Sequence, residues 1–231
     1  MSNENGAREI AVLGGTGAEG YGLSLRWAQA GERVVIGSRS AERAEEAAGR
    51  ILEALPDAHV RGAANPEAVA GAEIVVLTVP LAAQIPTVKS VRELLVEKAI
   101  VIDTTVPLEK AVGGRLSQWL PLWEGSAAER LARYLPAHAR AVGAFHCVSA
   151  SSLANLAESV HSDVLVCGDD PDARRVASEL VGKIAGARAL DGGPLENSRY
   201  AEQLSALLIA LNLRHKVSSS GIRFTGFPGL E

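Results

Sequence analysis

Ile10-Ala-Val-Leu-Gly-Gly-Thr-Gly-Ala-Glu-Gly20 is the stretch of sequence that decides the fold. Its apolar residues predict a buried strand, the pattern Gly15-x-Gly17-x-x-Gly20 follows, and a helical stretch comes next. In parallel α/β sheets this order sets a tight turn and a helix N-terminus against the pyrophosphate of a dinucleotide. Glycines also mark ordinary turns, but a glycine pattern between a strand and a helix favours a dinucleotide site.

The second strand, Val34-Val-Ile-Gly-Ser-Arg39, indicates which dinucleotide binds. An NAD-binding protein usually carries an acid here for the ribose 2′-hydroxyl, and an acid repels a 2′-phosphate. This chain has Ser38 and Arg39 instead, and Arg43 follows in the first turn of a predicted helix, where a cation is unfavourable unless an anion faces it. The pattern predicts NADP. The alternative interpretation is that both arginines are solvated surface groups, whether or not they pair with Glu42 or Glu46.

Composition limits the class of protein. The 231 residues suit one large domain, or a medium domain with a small companion, and 47% of them are hydrophobic. A net charge of -4 without a basic block disfavours nucleic acid as a partner, and the apolar runs are too short for a membrane helix. The first residues lack the features of a signal peptide, and Cys147 and Cys167 suggest no disulfide framework. We therefore expect a cytoplasmic protein.

Strands and helices alternate along the chain, which predicts a doubly wound parallel sheet of the Rossmann type. We place a domain boundary at residue 146, between an NADP-binding domain (1–146) and a smaller C-terminal α/β domain (147–231). A loop over 106–125 carries Trp119 and Trp123 and is expected above the strand ends. Predicted strands are 8–13, 33–37, 59–63, 74–79, 99–103, 141–145, 163–167, 188–190 and 222–224, and the main predicted helices are 20–30, 41–55, 83–95, 127–134, 171–184 and 198–216.

Few side chains in the sequence suggest acid–base chemistry. His146 stands at a predicted strand end, where it would reach a ligand or serve as a buried structural histidine. No Tyr-x-x-x-Lys motif, no phosphate-binding Gly-x-x-x-x-Gly-Lys-Ser/Thr motif and no metal-ligand spacing stands out. These absences argue against the short-chain dehydrogenase mechanism and against ATP chemistry.

Several segments together resemble one family, the F420-dependent NADP oxidoreductases. The likeness runs over nearly the whole chain. Its most specific parts lie near the C-terminus, because a generic dinucleotide-binding protein has no reason to contain them. The segments are Leu13-Gly-Gly-Thr-Gly17, Gly37-Ser-Arg39, Val76-Leu-Thr-Val-Pro80, Cys167-Gly-Asp-Asp170 and Leu190-Asp-Gly-Gly-Pro-Leu-Glu-Asn-Ser-Arg199.

The resemblance implies hydride transfer between C4 of the nicotinamide of NADP and C5 of the deazaflavin coenzyme F420, with the two rings held face to face. It also implies that the C-terminal part completes the F420 cleft and much of a homodimer interface, which suits an apolar face over 204–211. By position in the motifs, it implies NADP contacts at Thr16, Gly17, Ala18, Glu19, Ser38, Arg39 and Arg43, nicotinamide neighbours at Val79, Ala83 and Ala150, and a deazaflavin neighbour at His146.

Two other functions stay open at this point. One is an NADP-dependent reductase of a small imine, keto or hydroxy-acid substrate on a similar fold. The other is a non-catalytic NADP sensor.

The strand end Asp103-Thr-Thr-Val-Pro107 and the tryptophan-bearing loop after it depart from the pattern expected of the family.

Overall fold

The computed structural model describes residues 8–227 and contains one eight-stranded sheet with helices on both faces. Three short 3-10 turns accompany them, at Arg92–Leu94, Glu109–Val112 and Leu195–Asn197. The strands are β1 (Glu9–Leu13), β2 (Arg33–Ser38), β3 (Val60–Ala64), β4 (Ile74–Leu77), β5 (Ile100–Asp103), β6 (Arg140–Gly143), β7 (Asp163–Cys167) and β8 (Arg188–Gly193). The helices are α1 (Ala18–Gln29), α2 (Ala41–Ala54), α3 (Asn65–Val69), α4 (Leu81–Val91), α5 (Ala127–Ala132), α6 (Ala150–Ala154), α7 (Pro171–Gly182) and α8 (Ser198–His215).

The strand order β3-β2-β1-β4-β5-β6-β7-β8 confirms the predicted doubly wound sheet. The first six strands are parallel, and the order reverses between β1 and β4, where Leu13 lies beside Leu77. In open parallel sheets, ligands bind outside the carboxyl ends of the strands at such a reversal. The topology therefore puts the glycine turn after β1 at the position that a dinucleotide uses.

The C-terminal part of the chain extends the same sheet. β7 runs antiparallel to β6 through the pair Gly143 and Cys167, and β8 is parallel to β7. The boundary at 146 falls between β6 and α6, and a division into two domains remains a prediction.

The predicted strand at 222–224 is wrong. Within residues 8–227 this segment forms no ladder. One backbone hydrogen bond, from the N–H of Asp163 to the carbonyl of Ile222 (2.7 Å), joins it to the start of β7, and the Asp163 side chain makes further contacts. Asp163 accepts hydrogen bonds from the backbone N–H of Phe224 (2.6 Å) and from Arg223 (2.8 Å).

The central strands are buried on both faces, as their continuous apolar sequence predicts. On one face Trp27 of α1 packs edge-on against Phe145, with ring centroids 5.7 Å apart, and ties α1 to the segment after β6. The strand predicted over 74–79 ends at Leu77, since the chain turns at Pro80 to begin α4. Among the described residues, no helix is long and apolar enough to cross a membrane.

Candidate dinucleotide site

The glycine turn is fixed to the ends of three strands. The N–H of Gly14 donates to the carbonyl of Gly37 at the end of β2 (3.1 Å). On the other side, Thr78 donates to the carbonyl of Leu13 through its N–H (2.8 Å) and its hydroxyl (3.0 Å). The turn thus connects β2, which carries the Ser38-Arg39 pair, with the end of β4.

Close packing explains why this turn needs glycine. A Cβ on Gly20 would lie 2.3 Å from the Thr78 hydroxyl oxygen and 2.8 Å from the carbonyl oxygen of Gly14, so only glycine lets α1 approach the sheet. The left-handed conformation lies at Gly14 (φ +83°), one residue before Gly15, the first glycine of the predicted pattern. Gly15 excludes a side chain for another reason, because its Cβ would lie 2.8 Å from the Val12 carbonyl oxygen.

The N-terminus of α1 is open to an anion. Gly17 is the N-cap residue and makes no side-chain cap, and both it and Ala18 are exposed. The first N–H groups of a helix have no partner within the helix and carry its positive dipole end. With Thr16 half-buried beside them, these groups can receive a pyrophosphate.

The predicted 2′-phosphate residues follow directly at the end of β2. Ser38 is buried, and its hydroxyl oxygen accepts a hydrogen bond from the N–H of Ser40 (3.3 Å), which is the N-cap of α2. Arg39 and Arg43 are exposed, and among residues 8–227 neither guanidinium has an ion pair or a hydrogen bond. Among residues 8–227 neither arginine pairs with Glu42 or Glu46, and both stand in solvent, as the alternative interpretation also has them. Both cations are therefore available to an anion.

A cleft of about 610 Å³ opens beside the glycine turn, between the ends of β4, β5 and β6, α6 and α8. It brings six of the predicted residues together on one surface. The other five, Thr16, Ser38, Arg39, Arg43 and Ala83, lie outside its lining. The six lining residues are Gly17, Ala18, Glu19, Val79, His146 and Ala150.

His146 is an uncharged buried group in this cleft. Its side chain is 6% exposed, and neither ring nitrogen has a hydrogen-bond partner in the described part of the chain. Burial lowers the pKa of His146 to about 4, so the imidazole is neutral near pH 7. A neutral ring with one donor and one acceptor, both unused, is suited to a polar ligand edge rather than to the protein itself.

Glu19 is the second unpartnered polar group of the cleft. Its residue is half-buried, and its Oε1 atom is fully buried without a partner among residues 8–227. Burial, and to a smaller extent the charge of Asp103, raises the pKa of Glu19 to about 8. At neutral pH this carboxyl therefore holds a proton, and the cleft contains no charge from Glu19 or His146.

Two more acids lie behind the cleft wall. Asp103 at the end of β5 accepts hydrogen bonds from Gln84 Nε2 (2.8 Å) and the Thr105 hydroxyl (2.7 Å), and burial raises its pKa to about 7. Glu202 of α8 accepts from the N–H of Ala127 (2.8 Å) at the start of α5, and burial raises its pKa to about 9. Sequence patterns gave no sign of this group, because these residues are distant in the sequence.

α6 is held by one buried cation. Arg26 of α1 is 2% exposed and donates to the backbone carbonyls of Leu153 (2.9 Å), Ser152 (2.8 Å), Asn155 and Glu158 (2.8 Å). These bonds stabilise the C-terminal end of α6, where a helix has free carbonyls and a negative dipole end. Arg26 thereby fixes the cleft wall that Ala150 belongs to.

The far wall of the cleft comes from α8 and the segment after it. Ser149 and Ser151 both donate their hydroxyls to the carbonyl of Ser218 (2.9 Å each), which joins α6 to this segment. We did not predict these residues, since no local motif marks them. The tryptophans of the long loop lie outside the lining, and Trp123 is 95% exposed, whereas Val106 and Leu108 of the same loop reach the cleft. The wall residues from this region are Ser205, Leu208, Ile209, Asn212, Ser218 and Ser220.

Known proteins are similar to this chain in sequence and in fold. The family described as NADP oxidoreductase, coenzyme F420-dependent, matches residues 9–107. An F420-dependent NADP reductase of Methanothermobacter thermautotrophicus is 50% identical over 226 residues, 96% of this chain and 97% of that one. One of Methanothermobacter marburgensis is 48% identical over 95% and 99% of the two chains. A solved structure from Arthrobacter sp. FB24, proposed to be such a reductase, has a TM-score of 0.79 at 28% identity and covers 95% of this chain and all of that one.

The sheet reversal, the glycine turn and the cleft define a Rossmann-type dinucleotide-binding protein. Within that class, the full-length relatives show that the chain belongs to the F420-dependent NADP reductase family.

Proposed function

We propose that this protein transfers a hydride between NADP(H) and coenzyme F420. The observation that carries the proposal is the relation over nearly the full length of both chains to F420-dependent NADP reductases. The structure supports it with a cleft that begins at the glycine turn and continues to α8, so one surface serves two ligands. Nicotinamide and deazaflavin are both hydride carriers, and the protein needs to align them and exclude water.

The phosphate end of NADP is assigned to the glycine turn and the end of β2. The N–H groups of the first turn of α1, from Ala18 onward, would bind the pyrophosphate beside Thr16 and Gly17. Ser38, Arg39 and Arg43 would bind the 2′-phosphate, since a hydroxyl and two unpaired guanidinium groups attract a dianion. This end would be responsible for the choice of NADP over NAD.

The ring end is assigned to the cleft. Unpartnered buried atoms of Glu19 and His146 face it, and such atoms indicate a polar ligand that satisfies them. In this arrangement Val79 and Ala150 lie near the nicotinamide, with Ala83, which is outside the lining in α4, as a more distant neighbour, and His146 offers a hydrogen bond to the deazaflavin. No protein group has to bond to the hydride, and so we assign no catalytic residue.

The direct test follows the absorbance of F420. Protein mixed with NADPH and F420 near neutral pH should bleach the deazaflavin band, and NADH should act far more weakly. A folded protein that leaves the band unchanged with NADPH would contradict the proposal. In that case, turnover of an imine or keto substrate would support the small-substrate reductase, and NADPH binding without any turnover would support the sensor.

We also propose a homodimer formed through α8. Leu208 faces the cleft, whereas Leu207 and Leu211, four residues apart, are 53% and 38% exposed. Two exposed leucines on one helical face favour a partner surface. Light scattering should give twice the mass of one chain, and Leu207→Glu should reduce it to a monomer. The free thiols Cys147 and Cys167 suit a reducing compartment, and we place the protein in the cytoplasm.

A further inference from the structure

Glu19 is an acid that lines the ligand cleft. It lies in the first turn of α1, at the helix end that receives the pyrophosphate, and it lines the cleft beside Val79 and His146. Within residues 8–227 its carboxyl makes no hydrogen bond and no ion pair. A buried, unpaired carboxylate is costly, so the group takes up a proton instead.

The surroundings of Glu19 keep it neutral in the free protein. The charge of Asp103 on β5 acts on Glu19 and also on Glu202 of α8, and it disfavours a second negative charge at either acid. From the segment after β6, His146 is neutral, and burial raises the pKa of the Cys147 thiol to about 12. No lysine or arginine in the described chain pairs with Glu19. A cation that enters the cleft would therefore be the nearest positive charge to this carboxyl.

The two forms of the nicotinamide ring differ by such a charge. The oxidised ring is a cation, and the reduced ring is neutral. Resting on the proposed function, we propose that Glu19 senses the oxidation state of the bound nicotinamide, keeping its proton beside NADPH and releasing it beside NADP+. An opposite charge within a few ångströms favours the ionised carboxyl.

The proton balance of the reaction gives this linkage a purpose. Reduction of F420 by NADPH consumes one proton: the hydride leaves C4 and produces NADP+, and the deazaflavin takes up the hydride at C5 and a proton on its pyrimidine ring. Glu19 would lose one proton in the step in which the deazaflavin gains one, so the net charge of the closed cleft stays constant. When NADPH replaces NADP+, Glu19 takes a proton back from solvent.

Proton counting during binding tests the idea without any turnover. Calorimetric titration of the protein with NADP+ and with NADPH, in two buffers of different ionisation enthalpy at pH 7, gives the protons released by each. NADP+ should release about half to one proton more than NADPH. The 2′-phosphate and the pyrophosphate are common to both nucleotides, and their contributions cancel in this difference. As the pH is raised toward 8, the affinity for NADP+ relative to NADPH should increase by up to about tenfold per pH unit.

Glu19→Gln keeps the shape of the side chain and removes the ionisable proton, so NADP+ and NADPH should then release equal numbers of protons. The matched control is Glu67→Gln, the same change at an exposed acid in the first turn of α3, which should keep it. Equal proton release by NADP+ and NADPH in the unchanged protein, or a difference that persists in Glu19→Gln, would overturn the inference. Neither result would affect the proposed function, which fails only if F420 is not reduced.

Discussion

The two ends of the proposed NADP site differ in exposure and in charge. At the phosphate end, Arg39 and Arg43 are exposed cations without partners in the described chain. At the ring end, His146 is buried and Glu19 is half-buried with one buried carboxyl oxygen, and both are uncharged at neutral pH. The comparison shows how one site treats two chemistries. The exposed arginines would select the 2′-phosphate by charge. Glu19 and His146, which carry no charge at neutral pH, would contact rings whose own charge changes during the reaction.

The largest effect is expected where the two ends join. Gly20→Ala places a Cβ against the Thr78 hydroxyl and the Gly14 carbonyl, so α1 must move away from the sheet. We expect NADPH affinity to fall by more than about 100-fold, since the pyrophosphate site and both ends depend on this turn. Calorimetry or fluorescence titration measures it.

Gly49→Ala in α2 is the matched control, because nothing lies within 4 Å of its added Cβ. It should leave NADPH binding unchanged and stabilise the protein by about 0.5–1 kcal/mol. An equal loss of NADPH binding in Gly20→Ala and Gly49→Ala would contradict the claim that close packing at Gly20 forms the site.

Arg39→Ala tests the phosphate end alone. A lost charge-assisted hydrogen bond to the 2′-phosphate should weaken NADPH binding by about 10- to 100-fold and leave NADH binding nearly unchanged. Arg50→Ala is the control, because Arg50 is an arginine of α2 that stacks on Tyr21 of α1; it should change the affinity for neither nucleotide. Similar losses for NADPH and NADH would place Arg39 outside the 2′-phosphate site.

Glu202→Gln tests how far burial controls the acids behind the ring end. The folded state holds the Glu202 proton up to about pH 9, whereas the unfolded chain loses it near pH 4.3, so the wild-type free energy of unfolding falls as pH rises between these values. Glutamine keeps the acceptor for Ala127 N–H without ionising. The stability of the variant relative to wild type should therefore rise by about 1.4 kcal/mol per pH unit at most. Urea unfolding at several pH values measures this slope, and parallel curves would contradict the buried acid.

His146→Gln should have the smallest effect. It keeps a donor and an acceptor in the cleft, and we expect F420 turnover to fall by about three- to tenfold while NADPH affinity stays within about twofold. Because burial keeps the pKa of His146 near 4, the wild-type rate should show no inflection near pH 6.5 from this residue. A large loss of NADPH binding would place His146 at the phosphate end instead.

Sequence reasoning succeeded where the signal is local. The glycine turn, the Ser38-Arg39 strand end and β7 all follow from short patterns of apolar residues and glycine. The failures involve contacts between distant segments. Residues 222–224 contain apolar residues but meet β7 at Asp163, through one backbone hydrogen bond and the buried carboxylate, and only the fold brings the two segments together.

The cleft shows the same limit. Asn212 and Ser218 join its wall because α8 and the following segment return to α6, and no spacing in the sequence encodes this. The charge state of Glu19 was also beyond the sequence, since it depends on burial beside Asp103.

Deuterium transfer tests the central claim most directly. NADPH with both C4 hydrogens replaced by deuterium is mixed with F420 and protein in ordinary water. The mass of the reduced F420 is then measured by mass spectrometry. Direct transfer between two rings held in one cleft predicts one deuterium in every molecule of reduced F420. Reduced F420 that contains only hydrogen from water would show that a protein group carries the hydrogen between them, and would contradict the account.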